Sequence, residues 1–199
     1  MRIIGLYLAA GNSRRTGPGV HKLCLPIQNT PLGSIALNTA LASNLSDVIV
    51  IANETPWLLR SLRMDRLHIL SCKNAFLGQS YSLRCGVEKA ESMNADGVVV
   101  MLADQPFITT RLLNEIINCY RINQELHYAA AGYQGIPRPP VLFSKKLFPV
   151  LKELKGDKGA RSIFSASLFQ GKIIPYDNAD LFYDVDTWVD YDAVKERWT

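Results

Sequence analysis

The chain has 199 residues, of which 48% are hydrophobic and 20% are charged, a composition typical of a soluble globular protein. This length fits one domain, so we expect residues 1–199 to form a single domain with a substantial core. The net charge of +4 is small and the basic residues are dispersed, which argues against a nucleic-acid-binding protein. No apolar stretch approaches the roughly 18 residues of a membrane-spanning helix, so a membrane protein is not expected either.

The cysteines and histidines show no spacing typical of a metal site. Cys24, Cys72, Cys85 and Cys119 form no Cys-x-x-Cys pair, and the histidines stand alone. The first residues enter an apolar strand without an export signal, so we expect a cytoplasmic protein. In that compartment the cysteines are predicted to be buried, reduced thiols.

Apolar runs typical of strands alternate with stretches of helical periodicity, a pattern that indicates an α/β sheet. The predicted strands lie near residues 3–9, 47–52, 67–71, 97–103, 128–132, 140–143 and 172–176. The predicted helices lie near residues 33–43, 56–63, 80–92, 110–123, 145–152, 159–167 and 188–197. Between them, residues 132–140 are rich in Gly and Pro and are predicted to form a long irregular loop.

The first strand leads directly into small residues and then into cationic ones. Ala9-Ala10-Gly11 follows the strand, and Arg14, Arg15 and Lys22 come next. Small side chains let backbone N–H groups approach a phosphate, and nearby cations neutralise its charge, so this segment is predicted to bind an anion. The spacing does not fit a P-loop, since five residues separate Gly11 from Gly17, nor does it fit the dinucleotide fingerprint.

Carboxylates follow in two later segments. Asp104 comes directly after the apolar run 97–103, at the end of the sheet where open α/β proteins bind ligands. Because Mg²⁺ prefers oxygen ligands, Asp104 is a candidate metal ligand, with a helix cap or a turn as the alternative. Asp186 lies in an extended segment before the last helix and is the second candidate. Asp190 is expected to favour the N-terminus of that helix.

Two further segments carry polar groups at the predicted starts of helices. Residues 78–84 open with hydroxyl and amide groups, and Ser80 is predicted to be the N-cap, a position that can also bind ribose or base atoms. Residues 156–161 form a charged loop. Its Lys158 and Arg161 either hold a second anionic substrate or belong to a solvated turn.

These segments together resemble the molybdenum cofactor cytidylyltransferase group of MobA-like nucleotidyltransferases, which includes accessory proteins for xanthine dehydrogenase. The resemblance covers nearly the whole chain. Its blocks, in order, are Leu8 to Lys22, Gly78 to Arg84, Asp104-Gln105-Pro106, Pro140 to Phe143, Gly156 to Arg161 and Asp184 to Thr187. Six blocks in the family's order are far more specific than any single motif.

The resemblance implies a three-layer α/β/α, Rossmann-like nucleotide-diphosphosugar transferase fold with a mostly parallel mixed sheet. It implies transfer of CMP from CTP to the phosphate of molybdopterin, with release of pyrophosphate and with Mg²⁺ as cofactor. A nucleotide-binding part near residues 1–105 would precede an acceptor-binding part near 106–199. A molybdoenzyme such as xanthine dehydrogenase is the implied partner, and neither nucleic acid nor a membrane is expected.

The resemblance also implies roles for individual residues. Arg15, Lys22 and Asp104 would be catalytic, and Asp104 and Asp186 would hold the metal. Lys158 and Arg161 would bind the acceptor. The nucleotide-binding residues would be Leu8, Ala9, Ala10, Gly11, Gly78, Gln79, Ser80 and Ser82.

The chain also departs from the family pattern. Ala10 stands where related guanylyltransferases usually carry a second glycine, which favours CTP. Thr16 replaces a usual methionine, Asn29 stands where a glycine is common, and two extra residues lengthen the loop before Lys22, leaving its reach open. Pro139 replaces a usual histidine and leaves the acceptor open. The alternatives are a transferase of the same fold that uses GTP or a sugar or polyol phosphate, and a non-enzymatic cofactor carrier.

Overall fold

The computed structural model describes residues 1–11, 20–59, 64–156 and 161–198. The strands are β1 (Ile3–Leu8), β2 (Pro26–Ile27), β3 (Thr30–Pro31), β4 (Asp47–Ile51), β5 (Leu67–Leu70), β6 (Gly97–Leu102), β7 (Tyr128–Tyr133), β8 (Ile136–Ser144) and β9 (Gly171–Pro175). The helices are α1 (Leu32–Leu41), α2 (Gln79–Ser92), α3 (Thr110–Ile122), α4 (Phe148–Lys152), α5 (Arg161–Ser165) and α6 (Trp188–Arg197). Short 3₁₀ helices include Lys22–Cys24 and Ala75–Leu77.

Seven strands form one sheet in the order β5-β4-β1-β6-β8-β7-β9, and β2 pairs with β3 in a separate hairpin. The pairs β5-β4, β4-β1, β1-β6 and β7-β9 are parallel, whereas β8 runs antiparallel to both of its neighbours. Parallel strands need crossover connections, and α1 lies in the connection from β1 to β4 while α2 lies in the connection from β5 to β6. The predicted mostly parallel mixed sheet is therefore confirmed.

Helices cover both faces of the sheet because side chains alternate along each buried strand. In β1, Ile3 and Tyr7 belong to one core with α1, α3 and α6, while Ile4 and Leu6 belong to a second core with α2, α4 and α5. All four side chains are fully buried. This produces the predicted three-layer α/β/α arrangement. No helix in the described part of the chain is long and apolar enough to cross a membrane.

The helix predicted over residues 56–63 is wrong where the structure can test it. Residues 56–59 are not helical, and 60–63 lie outside the described residues. Trp57 explains the difference, since its side chain is 1% exposed and packs against the backbone of Gly33 and the ring of Tyr7. Its carbonyl oxygen accepts a hydrogen bond from Ser34 Oγ at 2.7 Å. Tertiary contacts therefore override the local helical pattern.

The long irregular loop predicted over residues 132–140 is also wrong, because β7 and β8 form a hairpin there. Gln134 and Gly135 make a two-residue turn with φ values of 50° and 77°. Such positive φ values match the right-handed twist of the flanking strands. The pairing is interrupted by a bulge between Ala130 and Ala131, opposite the Pro139-Pro140 pair of β8. The segment predicted to be an irregular loop is thus part of a paired ladder.

The prediction of four reduced thiols is wrong for one pair, because Cys72 and Cys85 form a disulfide, while Cys24 and Cys119 are free. The bond ties the segment after β5 to α2. Closing a loop of this length stabilises a fold by about 3 kcal/mol. We therefore expect Cys85→Ser to lower the melting temperature by several degrees.

Mass spectrometry after alkylation checks this prediction. Without reductant, iodoacetamide should modify Cys24 and Cys119 in the unfolded chain but leave Cys72 and Cys85 unmodified. The matched control is Cys119→Ser, which leaves the disulfide intact. Modification of all four cysteines without reductant would contradict the pairing.

Candidate active site

The carboxyl ends of β1 and β6 place Asp104 at the edge of the sheet. Leu8 and Leu102 are register partners at the ends of these two parallel strands. Beyond them, the N–H of Ala103 donates to the carbonyl oxygen of Leu8 at 3.2 Å. Asp104 is the next residue, so its backbone leaves a rigid, buried ladder. This edge is where open α/β sheets bind their ligands.

The late acidic segment docks directly onto this edge. The N–H of Val185 donates to the carbonyl oxygen of Asp104 at 3.0 Å. The neighbouring residues Gln105 and Asp184 are also joined, since Gln105 Nε2 donates to Asp184 Oδ1 at 2.9 Å. These bonds join segments that lie far apart in the sequence. Asp186 consequently lies beside Asp104, as the sequence predicts for two carboxylates of one site.

Lys22 bridges the two predicted metal ligands. Its Nζ donates to Asp104 Oδ2 at 2.6 Å, to Asp186 Oδ1 at 3.0 Å and to the carbonyl oxygen of Val185 at 3.0 Å. The lysine side chain is 12% exposed. The lengthened loop before Lys22 therefore does not keep this side chain away from the carboxylates, which answers the question that the sequence leaves open.

Burial and charge shift the pKa values of groups in this cluster. Burial by itself would lower the pKa of Lys22, but the carboxylates of Asp104 and Asp186 outweigh it and raise that pKa above its usual value. Burial, followed by the charge of Asp104, raises the pKa of Asp184 to about 6, against the opposing effect of the hydrogen bond from Gln105. Lys22 therefore stays charged, and the raised pKa means that Asp184 keeps its proton to a higher pH than an ordinary aspartate does.

A capping box fixes the backbone next to Asp186. Thr187 Oγ1 accepts from the N–H of Asp190 at 3.2 Å, and Asp190 Oδ2 accepts from the N–H of Thr187 at 2.8 Å. The same carboxylate accepts from the N–H of Asp186 at 3.2 Å. Asp190 therefore stabilises the start of α6, as predicted, and holds Asp186 in place.

The residues at this edge fit a hard divalent cation. Oxygens of Asp104 and Asp186 already converge on one positively charged atom, the Nζ of Lys22. In the described part of the chain no group of three or more His, Cys, Asp or Glu side chains could hold a metal. Two carboxylates suffice where substrate phosphates and water complete the coordination, which is how proteins usually bind Mg²⁺.

A cavity of about 340 Å³ opens beside Asp104. Gly78 precedes α2 with a φ of 132°, a conformation that favours glycine, and turns the chain into the cavity wall. The cavity brings together most of the residues predicted to bind nucleotide. Its lining consists of Leu8, Ala10, Gly11, Ala75, Phe76, Leu77, Gly78, Gln79, Ser82, Leu102 and Asp104.

Two predicted nucleotide-binding residues are buried and do not line this cavity. The N–H of Ala9 donates to the carbonyl oxygen of Ile51 at 2.9 Å, and the Ala9 side chain is 4% exposed. Ser80 is 1% exposed, and its Oγ has no hydrogen-bond partner among the described residues. The prediction of Ser80 as N-cap is wrong, because Gly78 occupies that position.

Three other predicted site residues cannot be placed. Arg15 and Lys158 lie outside the described residues, as does the side chain of Arg161. Asp184 and Gln105, in contrast, belong to the site without a role predicted from the sequence. In an extended chain Asp184 and Asp186 lie on the same side, so their spacing of two residues is a signal that could have linked them.

Comparison with known proteins identifies the family. Residues 5–171 match the model of the MobA-like NTP transferase domain. The purine catabolism protein PucB of Bacillus subtilis (strain 168) is 37% identical over 202 residues, which covers 97% of this chain and 96% of the relative. The molybdenum cofactor guanylyltransferase of Rhodobacter capsulatus is 29% identical over 150 residues, covering 72% and 76% of the two chains.

Solved structures show the same fold. The crystal structure of Rv0371c from Mycobacterium tuberculosis H37Rv superposes with a TM-score of 0.82 at 26% identity, covering 98% of each chain. A manganese complex of that protein gives a TM-score of 0.80 at 25% identity, covering 98% of this chain and 99% of the other. The family match, the whole-length relative and the shared fold agree with one another. The chain therefore belongs to the MobA-like NTP transferase family and is a nucleotidyltransferase.

Proposed function

We propose that this protein transfers CMP from CTP to the phosphate of molybdopterin and releases pyrophosphate. The support is the blocks that resemble the cytidylyltransferase group and the similarity to a purine catabolism protein and to a molybdenum cofactor guanylyltransferase. Within this proposal, the part near residues 1–105 binds nucleotide and the part near 106–199 binds the acceptor. The product would serve a molybdoenzyme such as xanthine dehydrogenase in the cytoplasm.

One observation carries the proposal: the carboxylates of Asp104 and Asp186 share the ammonium group of Lys22, and Asp104 lines the cavity. A nucleotidyl transfer brings a phosphate against a triphosphate, so the site has to hold positive charge between anions. A carboxylate pair beside a cavity lined by the turn after β1 can recruit that charge. Neither a cofactor carrier nor a structural protein has a use for such an arrangement.

The reaction would proceed by in-line attack. An oxygen of the acceptor phosphate attacks the α-phosphorus of CTP, the bond from that phosphorus to the bridging oxygen breaks, and pyrophosphate leaves. No general base is needed, because the attacking phosphate is already ionised. Neutralising the charge and aligning the two substrates are then most of the catalysis. Lys22 lies at the metal-binding carboxylates and would stabilise the departing pyrophosphate, together with Arg15.

Asp104 and Asp186 would hold Mg²⁺. When bound, the ion would supply positive charge that stabilises the charge developing on the reacting phosphates. The oxygen-only donor pair supports a hard cation, and the manganese complex of the structural relative supports a divalent one. The backbone of Asp186, fixed by Asp190, would keep the pair in place before the metal arrives.

GTP is the second candidate nucleotide. The similarity to a guanylyltransferase over 150 residues favours it. Ala10 lines the cavity where related guanylyltransferases usually carry glycine, and its methyl group favours the smaller base of CTP. One methyl group supplies about 10-fold to 200-fold discrimination, which is enough to rank the two nucleotides in a direct comparison.

A direct assay tests the proposal. Purified protein is incubated with Mg²⁺, with CTP, GTP or ATP, and with molybdopterin or a sugar or polyol phosphate, while pyrophosphate is measured. We expect release only when an acceptor is present, with CTP and molybdopterin giving the highest kcat/KM. Faster pyrophosphate release with GTP would show that GTP, and not CTP, is the nucleotide donor. Faster release with a sugar or polyol phosphate would show that molybdopterin is not the acceptor. No release with any pair would contradict the proposed function.

A further inference from the structure

Arg138 has a buried nitrogen that finds no partner in the protein. The residue is half-buried in β8, and its Nε has no hydrogen-bond partner among the described residues. Arg66 and Arg84 also have a buried Nε without a partner, but each donates a hydrogen bond through another guanidinium nitrogen, whereas Arg138 donates none to a described residue. Arg2, Arg111 and Arg197 donate to carboxylates. Arg121 is exposed, so its guanidinium group can donate hydrogen bonds to solvent water. A buried charged donor without an acceptor is costly, and this makes Arg138 a candidate for binding a ligand.

The topology places Arg138 at the edge of the sheet that carries the carboxylates. β8 runs antiparallel to β6, with Val141 opposite Val100. Residues that precede Val141 therefore lie progressively further toward the carboxyl end of β6, and Asp104 follows that end by two residues. Arg138 lies on the far side of the bulge at Pro139 and Pro140, and its partner Ala131 is one residue beyond Ala130, the partner of Val141. Arg138 therefore stands just beyond the last residues of β8 that pair with β6, toward the edge that carries Asp104.

Pairing with β7 also defines the face on which Arg138 stands. Arg138 is the register partner of Ala131, and partners in a ladder project to the same face of the sheet. Ala131 belongs to the same core as Val185, the residue next to Asp186. The nucleotide cavity, in contrast, is lined by Leu8 and Leu102, which belong to the opposite core. Arg138 and the residues that line the nucleotide cavity are therefore on opposite faces of the sheet.

In an in-line transfer the attacking acceptor phosphate and the departing pyrophosphate lie on opposite sides of the α-phosphorus. Each of these anions needs positive charge beside it. Lys22 is engaged by both carboxylates, so the acceptor side needs a cation of its own. A guanidinium matches a phosphate with two parallel donors and stays charged at any physiological pH. We propose that Arg138 binds the phosphate group of the acceptor; this inference rests on the proposed function and adds a specific acceptor-side residue to it.

Steady-state kinetics test the inference. Arg138→Met keeps the aliphatic stem but removes the charge. Arg138→Lys keeps the charge but loses the two parallel N–H donors of the guanidinium group. Arg121→Met is the matched control. We expect Arg138→Met to raise the KM of the acceptor about 10-fold to 100-fold, with the KM of CTP unchanged. Arg138→Lys should recover part of the loss, and Arg121→Met should behave like the wild type. An unchanged acceptor KM, or an equal rise for CTP, would overturn the inference.

A binding measurement separates this inference from the proposed function. Phenyl phosphate at millimolar concentration is titrated into protein that is saturated with Mg²⁺ and a non-hydrolysable CTP analogue, and binding is followed by calorimetry. The wild type should bind and Arg138→Met should not, even if molybdopterin proves to be the wrong acceptor. Equal binding by both proteins, or none by the wild type, would overturn the role of Arg138. Matching melting temperatures would show that the variant is folded.

Discussion

Replacing Asp104 with asparagine should slow pyrophosphate release from CTP at least about 100-fold, because the metal would lose a charged ligand worth several kcal/mol. Asparagine has nearly the same volume as aspartate. Its backbone carbonyl can still accept the hydrogen bond from Val185, so the docked acidic segment should remain in place. We therefore expect the fold to survive and the chemistry to fail.

Two measurements support this interpretation. Electron paramagnetic resonance should show weaker Mn²⁺ binding by Asp104→Asn, and thermal melting should stay close to that of the wild type. Asp177→Asn is a matched control, since Asp177 is an exposed carboxylate outside the site. Near-normal pyrophosphate release by Asp104→Asn would show that the metal is held elsewhere.

The pairing of Asp104 with Asp186 was predictable because it follows from topology. One carboxylate follows a central parallel strand and the other precedes the last helix, and in an α/β sheet both places lie at the edge of the strands' carboxyl ends. The role of Asp190 was predictable for a related reason. An acidic residue three positions after a threonine, at the start of a helix, is a local signal that needs no tertiary information.

What the sequence did not predict depends on contacts between distant segments. The local pattern at Trp57 favours a helix, yet its indole fills the space above Gly33 and sets the backbone instead. The pairing of Cys72 with Cys85 depends on how α2 packs beside β5, which cysteine spacing cannot show. The partnerless nitrogen of Arg138 is likewise visible only once β7 and β8 are paired.

The hairpin of β7 and β8 was missed for a different reason. Glycine and proline both interrupt regular structure in general, so a segment rich in them favours a loop. Here Gly135 supplies the positive φ that a tight turn requires, and Pro139 and Pro140 fall at a bulge where the ladder is already interrupted. The same residues that suggest irregularity are therefore compatible with pairing at these positions.

Replacing Lys22 with methionine should have two opposite effects. Without nucleotide, the variant should bind Mn²⁺ about 10-fold to 100-fold more tightly than the wild type, because the ammonium and the metal compete for the same oxygens. Nζ lies 2.6 Å from Asp104 Oδ2 and 3.0 Å from Asp186 Oδ1, so a cation between these carboxylates has to displace it. With CTP, the variant should bind nucleotide more weakly and transfer CMP more slowly.

Methionine suits this test because it retains an apolar stem where the lysine side chain is 12% exposed. Mn²⁺ affinity is measured by electron paramagnetic resonance without nucleotide, and turnover by pyrophosphate release. Lys146→Met, which removes a surface ion pair with Glu125, is the control and should change neither. Unchanged or weaker Mn²⁺ binding by Lys22→Met would mean that the lysine supports the metal site instead of occupying it. If Lys22→Met turned over at the rate of the wild type, the pyrophosphate would have to be bound by the arginines after β1 and not by Lys22.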